Sequence, residues 1–172
     1  PNTKTFSWTP TTSQAGTYQV RFTVTDSFGA SDSGTISIRV NRSPILAIGN
    51  KVVDERSPLT FTVPATDADG DPLTYIVSSL PSGAVFDPLT KTFSWIPHYL
   101  QARSYQITLS AFDGYGGTNS ETINITVNNT NRAPVLQAIS NKIVTENSLL
   151  SFTISATDPD GDPFFYSASG LP

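Results

Sequence analysis

The chain has 172 residues, of which 37% are hydrophobic and only 14% charged, well under the quarter usual in globular domains. Its net charge is −4 and its pI near 4.7; with no basic cluster, these argue against a nucleic-acid partner and against an anionic membrane surface. There is no Cys for a disulfide framework, and no apolar run approaches the roughly 18 residues of a membrane span.

Polarity is carried by Thr, Ser and Asn, which suits strands with solvated faces and loops rich in turn residues. In chain order, Leu59, Phe61 and Val63 alternate with Thr60 and Thr62 and predict a half-buried strand. Leu73–Val77 predicts the next and Thr92–Trp95 a third. Tyr105, Ile107, Leu109 and Ala111 then alternate with polar residues, and Ile123, Ile125 and Val127 do so in the last strand. Asp69-Gly-Asp-Pro, Leu80-Pro-Ser-Gly and Asp113-Gly-Tyr-Gly-Gly between them are turn chemistry. Short strands between regular turns predict an all-β fold, a two-sheet antiparallel sandwich of Greek-key type. Trp8 and Trp95 are read as core residues of their strands rather than as a ligand platform.

The pattern repeats about every 90 residues. Asp67-Ala-Asp-Gly-Asp-Pro returns as Asp158-Pro-Asp-Gly-Asp-Pro, and Asn41-Arg-Ser-Pro as Asn131-Arg-Ala-Pro. Glu55 returns as Glu146, and Phe6-Ser-Trp-Thr-Pro as Phe93-Ser-Trp-Ile-Pro. The register divides the chain into the C-terminal half of one repeat (1–40), a whole repeat (41–130) and the N-terminal half of a third (131–172). Half a sandwich cannot bury its inner face. The register therefore points to a window in a longer polypeptide or, alternatively, to copies that complete one another head to tail and build a filament.

Strand direction gathers the acids. If strands run up and down, the strand ending at Asp67, Asp69 and Asp71, the strand ending at Asp113, and the linker at Asn41 share one pole. Glu55 and Glu146 lie at the other. Hard carboxylate and amide oxygens on loops suit Ca²⁺, which takes six to eight of them. The competing reading is that Asp-Gly-Asp-Pro is only a turn and that Arg42 neutralises it by a salt bridge.

With Asn131-Arg-Ala-Pro, Ala65-Thr-Asp-Ala-Asp-Gly-Asp-Pro, Phe86-Asp-Pro-Leu-Thr-Lys-Thr-Phe-Ser-Trp and Tyr105-Gln-Ile-Thr-Leu-Ser-Ala-Phe-Asp-Gly in view, the chain resembles cadherin-like repeats. It is closest in pattern to the dystroglycan-type and immunoglobulin-like domains of prokaryotic surface proteins. The resemblance implies Ca²⁺ ligands at Glu55 and Glu146, Asp67 with Asp69, Asp158 with Asp160, and Asp26 with Asp113. Asn41, Asn131, Asp71 and Asp162 complete the candidate set. The chain departs from that pattern where an acidic linker residue is replaced by Arg42 or Arg132, and where Gln101-Ala-Arg103 carries no acid. These departures speak against a three-ion junction and leave room for one ion.

His98 is the only histidine and its repeat mate is Thr11, so neither a catalytic triad nor a zinc site is supported. Asp87 with Asp113 is the best glycosidase pair on offer, and it lacks a defined cleft. Sequons stand at Asn124, Asn128 and Asn41. The expectation is a non-catalytic structural repeat of an extracellular, cell-surface adhesin, stalk or fibre. Its partners would be neighbouring repeats or further copies, with surface glycans or proteins beyond them. The alternatives are a spacer or carbohydrate-binding module of a secreted hydrolase, which would need a row of exposed aromatics beyond Tyr99 and Tyr115, or a homotypic adhesion domain.

Overall fold

The structure, a computed structural model, describes residues 4–170; the outer ends of the first and third repeat segments, 1–3 and 171–172, lie outside them. A hairpin of β1 (Gly16–Thr25) and β2 (Ser31–Val40) comes first, after a short 3-10 turn at Thr12–Gln14. Nine strands follow: β3 (Ile45–Leu46), β4 (Lys51–Asp54), β5 (Leu59–Thr62), β6 (Ala65–Thr66), β7 (Thr74–Ser78), β8 (Val85–Asp87), β9 (Thr92–Trp95), β10 (Ser104–Phe112) and β11 (Thr118–Asn128). Two further short strands, β12 (Val135–Leu136) and β13 (Ala156–Thr157), close the chain. No helix among the described residues is long and apolar enough to cross a membrane.

The nine central strands form the expected sandwich. One sheet runs β4-β11-β10-β7; the other runs β5-β9-β8, with β3 paired to β6 beside it. The chain changes sheet at its start: β3 pairs antiparallel with β6, and β4 then pairs parallel with β11. Pro64 has no N–H to donate and stands at the break between β5 and β6, so the strand expected over 59–63 ends at Thr62. Strands β3 and β8, of two and three residues, are too short to establish an alternation, and Lys51-Val-Val-Asp54 of β4 does not alternate.

Alternation on the long strands builds the core. Ile107, Leu109 and Ala111 of β10 and Ile123, Ile125 and Val127 of β11 face inward and are almost wholly buried. From the opposite sheet Phe93 stacks on Phe61 with ring centroids 4.9 Å apart. Trp95 is buried as expected: its Nε1 donates to the Ser82 carbonyl at 3.1 Å, and its edge meets Tyr105 at 5.0 Å. The Tyr105 hydroxyl donates to the Gln101 carbonyl at 3.0 Å, the tyrosine corner of immunoglobulin-type sandwiches. Tyr18 repeats it on the Gln14 carbonyl at 2.8 Å.

The flanking segments are less complete. Residues 142–145, 150–153 and 165–169 correspond to β4, β5 and β7, yet carry no strand; residues 5–8, the counterpart of β9, carry none either.

Candidate metal centre at the domain junction

The acidic loop after β6 is an Asx turn built on Asp67. Its Oδ1 accepts the backbone N–H groups of Asp69 (2.8 Å) and Asp71 (3.2 Å). Gly70, at φ 81°, supplies the left-handed residue this tight turn needs. The turn leaves one carboxylate oxygen from each of Asp67, Asp69 and Asp71 within 4.8 Å of the others.

The loop after β10 uses the same device. Asp113 Oδ1 accepts from the N–H groups of Tyr115 (2.8 Å) and Gly117 (2.9 Å). Its other oxygen accepts from the Asn41 amide at 2.6 Å, and Asp113 is 2% exposed. Burial pushes this carboxyl up, but the N–H donors of Tyr115, Asn41 and Gly117 outweigh it and hold the group below the usual carboxylate range. Gly117 is required for contact rather than for torsion: a Cβ there would stand 2.0 Å from Asp113 Oδ2 and 2.9 Å from the Ser43 Cα.

The linker between the loops is tied to both. Asn41 bonds Asp113, while the Arg42 N–H donates to Asp69 Oδ2 at 2.7 Å and its guanidinium to Asp69 Oδ1 at 3.1 Å. Arg39, at the end of β2, ion-pairs with Asp71 and lies over the Tyr115 ring at 4.5 Å. Two oxygens at this pole, Asn41 Oδ1 and Asp67 Oδ2, are buried with no hydrogen-bond partner.

The following junction repeats half of this. Asp158 Oδ1 accepts from the N–H groups of Asp160 and Asp162 at 2.8 and 3.1 Å. The Arg132 N–H donates to Asp160 Oδ2 at 2.6 Å and its Nε to Oδ1 at 2.8 Å. Arg132 also lies over the Tyr99 ring at 4.5 Å. The Asp160 carboxyl is held low by the Arg132 guanidinium, against a smaller upward push from burial.

Structure thus brings Asn41, Asp67, Asp69, Asp71 and Asp113 to one pole, and Asn131, Asp158, Asp160 and Asp162 to the linker that leaves the central unit. It does not bring Glu55 to the upper acids. Glu55 is 2% exposed at the opposite pole, where Oε1 accepts from the N–H groups of Gln101 (2.9 Å) and Ala102 (3.0 Å) and Oε2 from that of Thr130 (3.2 Å). This carboxylate knits the loop before β10 to the outgoing linker. Its repeat mate Glu146 is exposed. Asp26 is exposed too and accepts only from its own hairpin, from Phe28 and Ala30 N–H at 2.9 Å each.

Sequence reasoning missed Arg39 and Gly117, and it read Tyr99 and Tyr115 only as loop aromatics of a carbohydrate-binding alternative. Arg39 leaves no repeat signal, since Thr126 stands at its place in the next unit. Each ring has an arginine over it beside a linker, Arg39 at Tyr115 and Arg132 at Tyr99, although Tyr115 stays exposed. Among the sequons, Asn124 is exposed on β11 as its alternation predicts, whereas the Asn41 amide is engaged by Asp113.

The Putative Ig domain family matches residues 1–41 and 43–128. Chitinase A of Pseudoalteromonas piscicida is 32% identical over 133 residues, covering 75% of this chain and 16% of that protein. Integrin beta-like protein B of Dictyostelium discoideum is 30% identical over 140 residues, covering 72% of this chain and 7% of that protein. The chain therefore spans less than a fifth of either relative. Among solved structures, human Protocadherin-24 EC1-2 superposes with a TM-score of 0.48 at 23% identity, over 70% of this chain and 61% of that one. With the match running across the first hairpin and the whole central sandwich, this chain belongs to the Putative Ig domain family.

Proposed function

We propose that this chain is a non-catalytic spacer of a long extracellular protein, a series of Ig-like units divided at 1–40, 41–130 and 131–172 whose junctions are stiffened by Ca²⁺. The observation that carries the reading is the upper pole, where a linker is bonded to two acidic loops and two oxygens remain buried without a donor. Buried acceptors of this kind call for a partner, and hard oxygens on flexible turns suit a calcium ion. Asp67, Asp69, Asp71, Asp113 and Asn41 would hold it. Bound there, the ion would supply positive charge shared between linker and loops. The chain's own residues do the rest: Asp67 and Asp113 order their turns, and Asn41 and Arg42 fix the angle at which the linker enters.

Use of one module in proteins named a chitinase and an integrin beta-like protein, as a small fraction of each, supports a spacer indifferent to the activity it is joined to. It also keeps open a place beside a carbohydrate-active domain. A platform of exposed aromatics is not favoured, because Tyr115, which is 63% exposed, and Tyr99 stand beside different linkers, next to Arg39 and Arg132 respectively, and form no row.

A second reading has its own observation. Arg39, Arg42 and Arg132 already pair with Asp71, Asp69 and Asp160, so arginine could supply the charge without metal. Thermal melting of the full chain in Ca²⁺ and in EDTA separates the two. Ligand at 100 times its Kd stabilises by about 2.7 kcal/mol, a shift on the order of 10 °C for a unit of this size. The calcium reading expects that shift and expects Asp67→Asn, which keeps the turn acceptor, to abolish it. Equal melting in both buffers means that arginine alone closes the junction.

A further inference from the structure

We infer that Asn124 carries an N-linked oligosaccharide, held on the outer face of the sheet β4-β11-β10-β7. The inference rests on the extracellular part of the reading above and not on calcium.

Asn-x-Ser or Asn-x-Thr stands at Asn41, Asn124 and Asn128, and the pattern marks a side-chain amide that accepts a sugar in a secreted protein. The folded unit treats the three differently. The Asn41 amide nitrogen is spent: it donates to Asp113 Oδ2 at 2.6 Å and to the Arg42 carbonyl at 3.0 Å. A Cβ on Gly117 would stand 3.0 Å from that nitrogen, so a sugar there would force the linker off the loop. The Asn128 amide donates to Asp54 Oδ1 at 2.8 Å, and the hydroxyl of its Thr130 turns in to the Glu55 carbonyl at 3.1 Å.

Asn124 has no such ties. It stands on β11 between the buried Ile123 and Ile125, so strand alternation turns it to solvent, and it is exposed. Its backbone is engaged, the N–H donating to Asn50 Oδ1 at 2.8 Å, while its side-chain amide has no partner among the described residues. Thr126, which completes the pattern, is exposed on the same face. Gln106 lies opposite Asn124 on β10 and is exposed as well. Across the face Thr108 bonds Thr122 and Ser110 bonds Ser120, hydroxyl to hydroxyl, at 2.8 Å each. On the other side Val52, paired with Thr126, is 66% exposed and offers a sugar ring an apolar surface. Asn124 is also remote from both linkers, about 20 Å of strand from Thr118 and about 13 Å from Asn128 at the usual rise.

Strand β11 is bonded to β10 on one side and β4 on the other, so its backbone is not free once folded. Transfer takes place before β11 pairs, and the fold decides which product it can hold. In that step Asn124 Nδ2 attacks the anomeric carbon of an oligosaccharide carried on a lipid diphosphate. The C–N bond forms, the anomeric C–O bond breaks, and the lipid diphosphate leaves with the bonding pair. One amide proton passes to a base of the transferring enzyme, and nothing is oxidised or reduced.

The test is to secrete the full chain from a eukaryotic host that N-glycosylates and to map its peptides by mass. The Asn124 peptide is expected to carry a sugar and the Asn41 peptide none. Asn124→Gln and Thr126→Ala should remove the sugar at this position, and Thr126→Ser should keep it. The glycosylated chain should melt at or above the Asn124→Gln chain, whose own cooperative melt is the folding control. The inference is overturned by a secreted, folded chain that is bare at Asn124, by one that carries a sugar at Asn41, or by an Asn124→Gln chain that melts higher. A chain bare at Asn124 leaves the spacer reading standing, whereas equal melting in Ca²⁺ and EDTA counts against the calcium reading alone.

Discussion

Residues 16–40 and 104–128 have the same alternation of apolar and polar side chains, the same tyrosine corner and the same aspartate-headed turn, and both fold into a hairpin. Their surroundings differ completely. Leu109 is 1% exposed and its counterpart Phe22 is 44% exposed; Ala111 is 0% exposed and its counterpart Val24 is 70% exposed. Local sequence is thus sufficient for the hairpin, while burial depends on the second sheet. The same holds for the turns. Asp113 is covered by Asn41 across Gly117, whereas Ala30 occupies the equivalent place beside an exposed Asp26. Among the described residues no linker lies on the first loop, and the methyl group of Ala30 is exposed there.

This contrast can be broken or sharpened by paired substitutions, read by chemical denaturation. The largest difference is expected in the core. Leu109→Ala should cost about 3 kcal/mol, as large-to-small core changes do, while Phe22→Ala should stay within about 0.5 kcal/mol. Equal costs would mean that the first face is already covered.

Next is the buried carboxylate. Glu55→Ala strands the N–H groups of Gln101, Ala102 and Thr130 and should cost about 2 kcal/mol or more. Glu146→Ala, at an exposed position, should cost under about 0.5 kcal/mol. A smaller step is expected at the junction. Gly117→Ala forces the linker away from Asp113 and should cost about 1–2 kcal/mol as an overpacked contact, with loss of the Asn41 side-chain amide shift in NMR spectra. Ala30→Gly should leave both readouts nearly unchanged.

The smallest effect is with pH. Asp113 and Asp160 have folded pKa values below the ordinary range, so their contribution is complete above the ordinary Asp value of about 3.9. It is lost as pH falls through the lower folded values. Melting should therefore be flat from neutrality to about pH 5 and decline below about pH 4. Asp160→Asn should reduce that decline. A decline of the same size in the variant would remove Asp160 from the account.

Much of the fold is legible in the residues themselves. Alternation at Tyr105–Ala111 and Ile123–Val127 marks the core face on its own, because the period of a strand is 2 and only one face of each sheet is buried. The spacing of Asp67, Asp69 and Asp113 against Asn41 is enough to place them at one pole, since strand direction alone decides which loops share an end. Glu55 cannot be resolved in that way. A carboxylate in a linker-facing loop reads as a metal ligand or as a clamp, and only the positions of three backbone N–H groups reveal the clamp.

By itself the sequence determined the β class, the repeat, the turns and the inward faces of β10 and β11. These follow from local torsional preference and from side-chain periodicity, which each segment carries with it. Tertiary structure alone decided which of those segments became strands. Phe61 and Phe152 sit in nearly the same local sequence, but a strand satisfies its backbone only through a neighbour. Phe61 finds β9 beside it, and Phe152 finds no neighbouring strand among the described residues of its own chain.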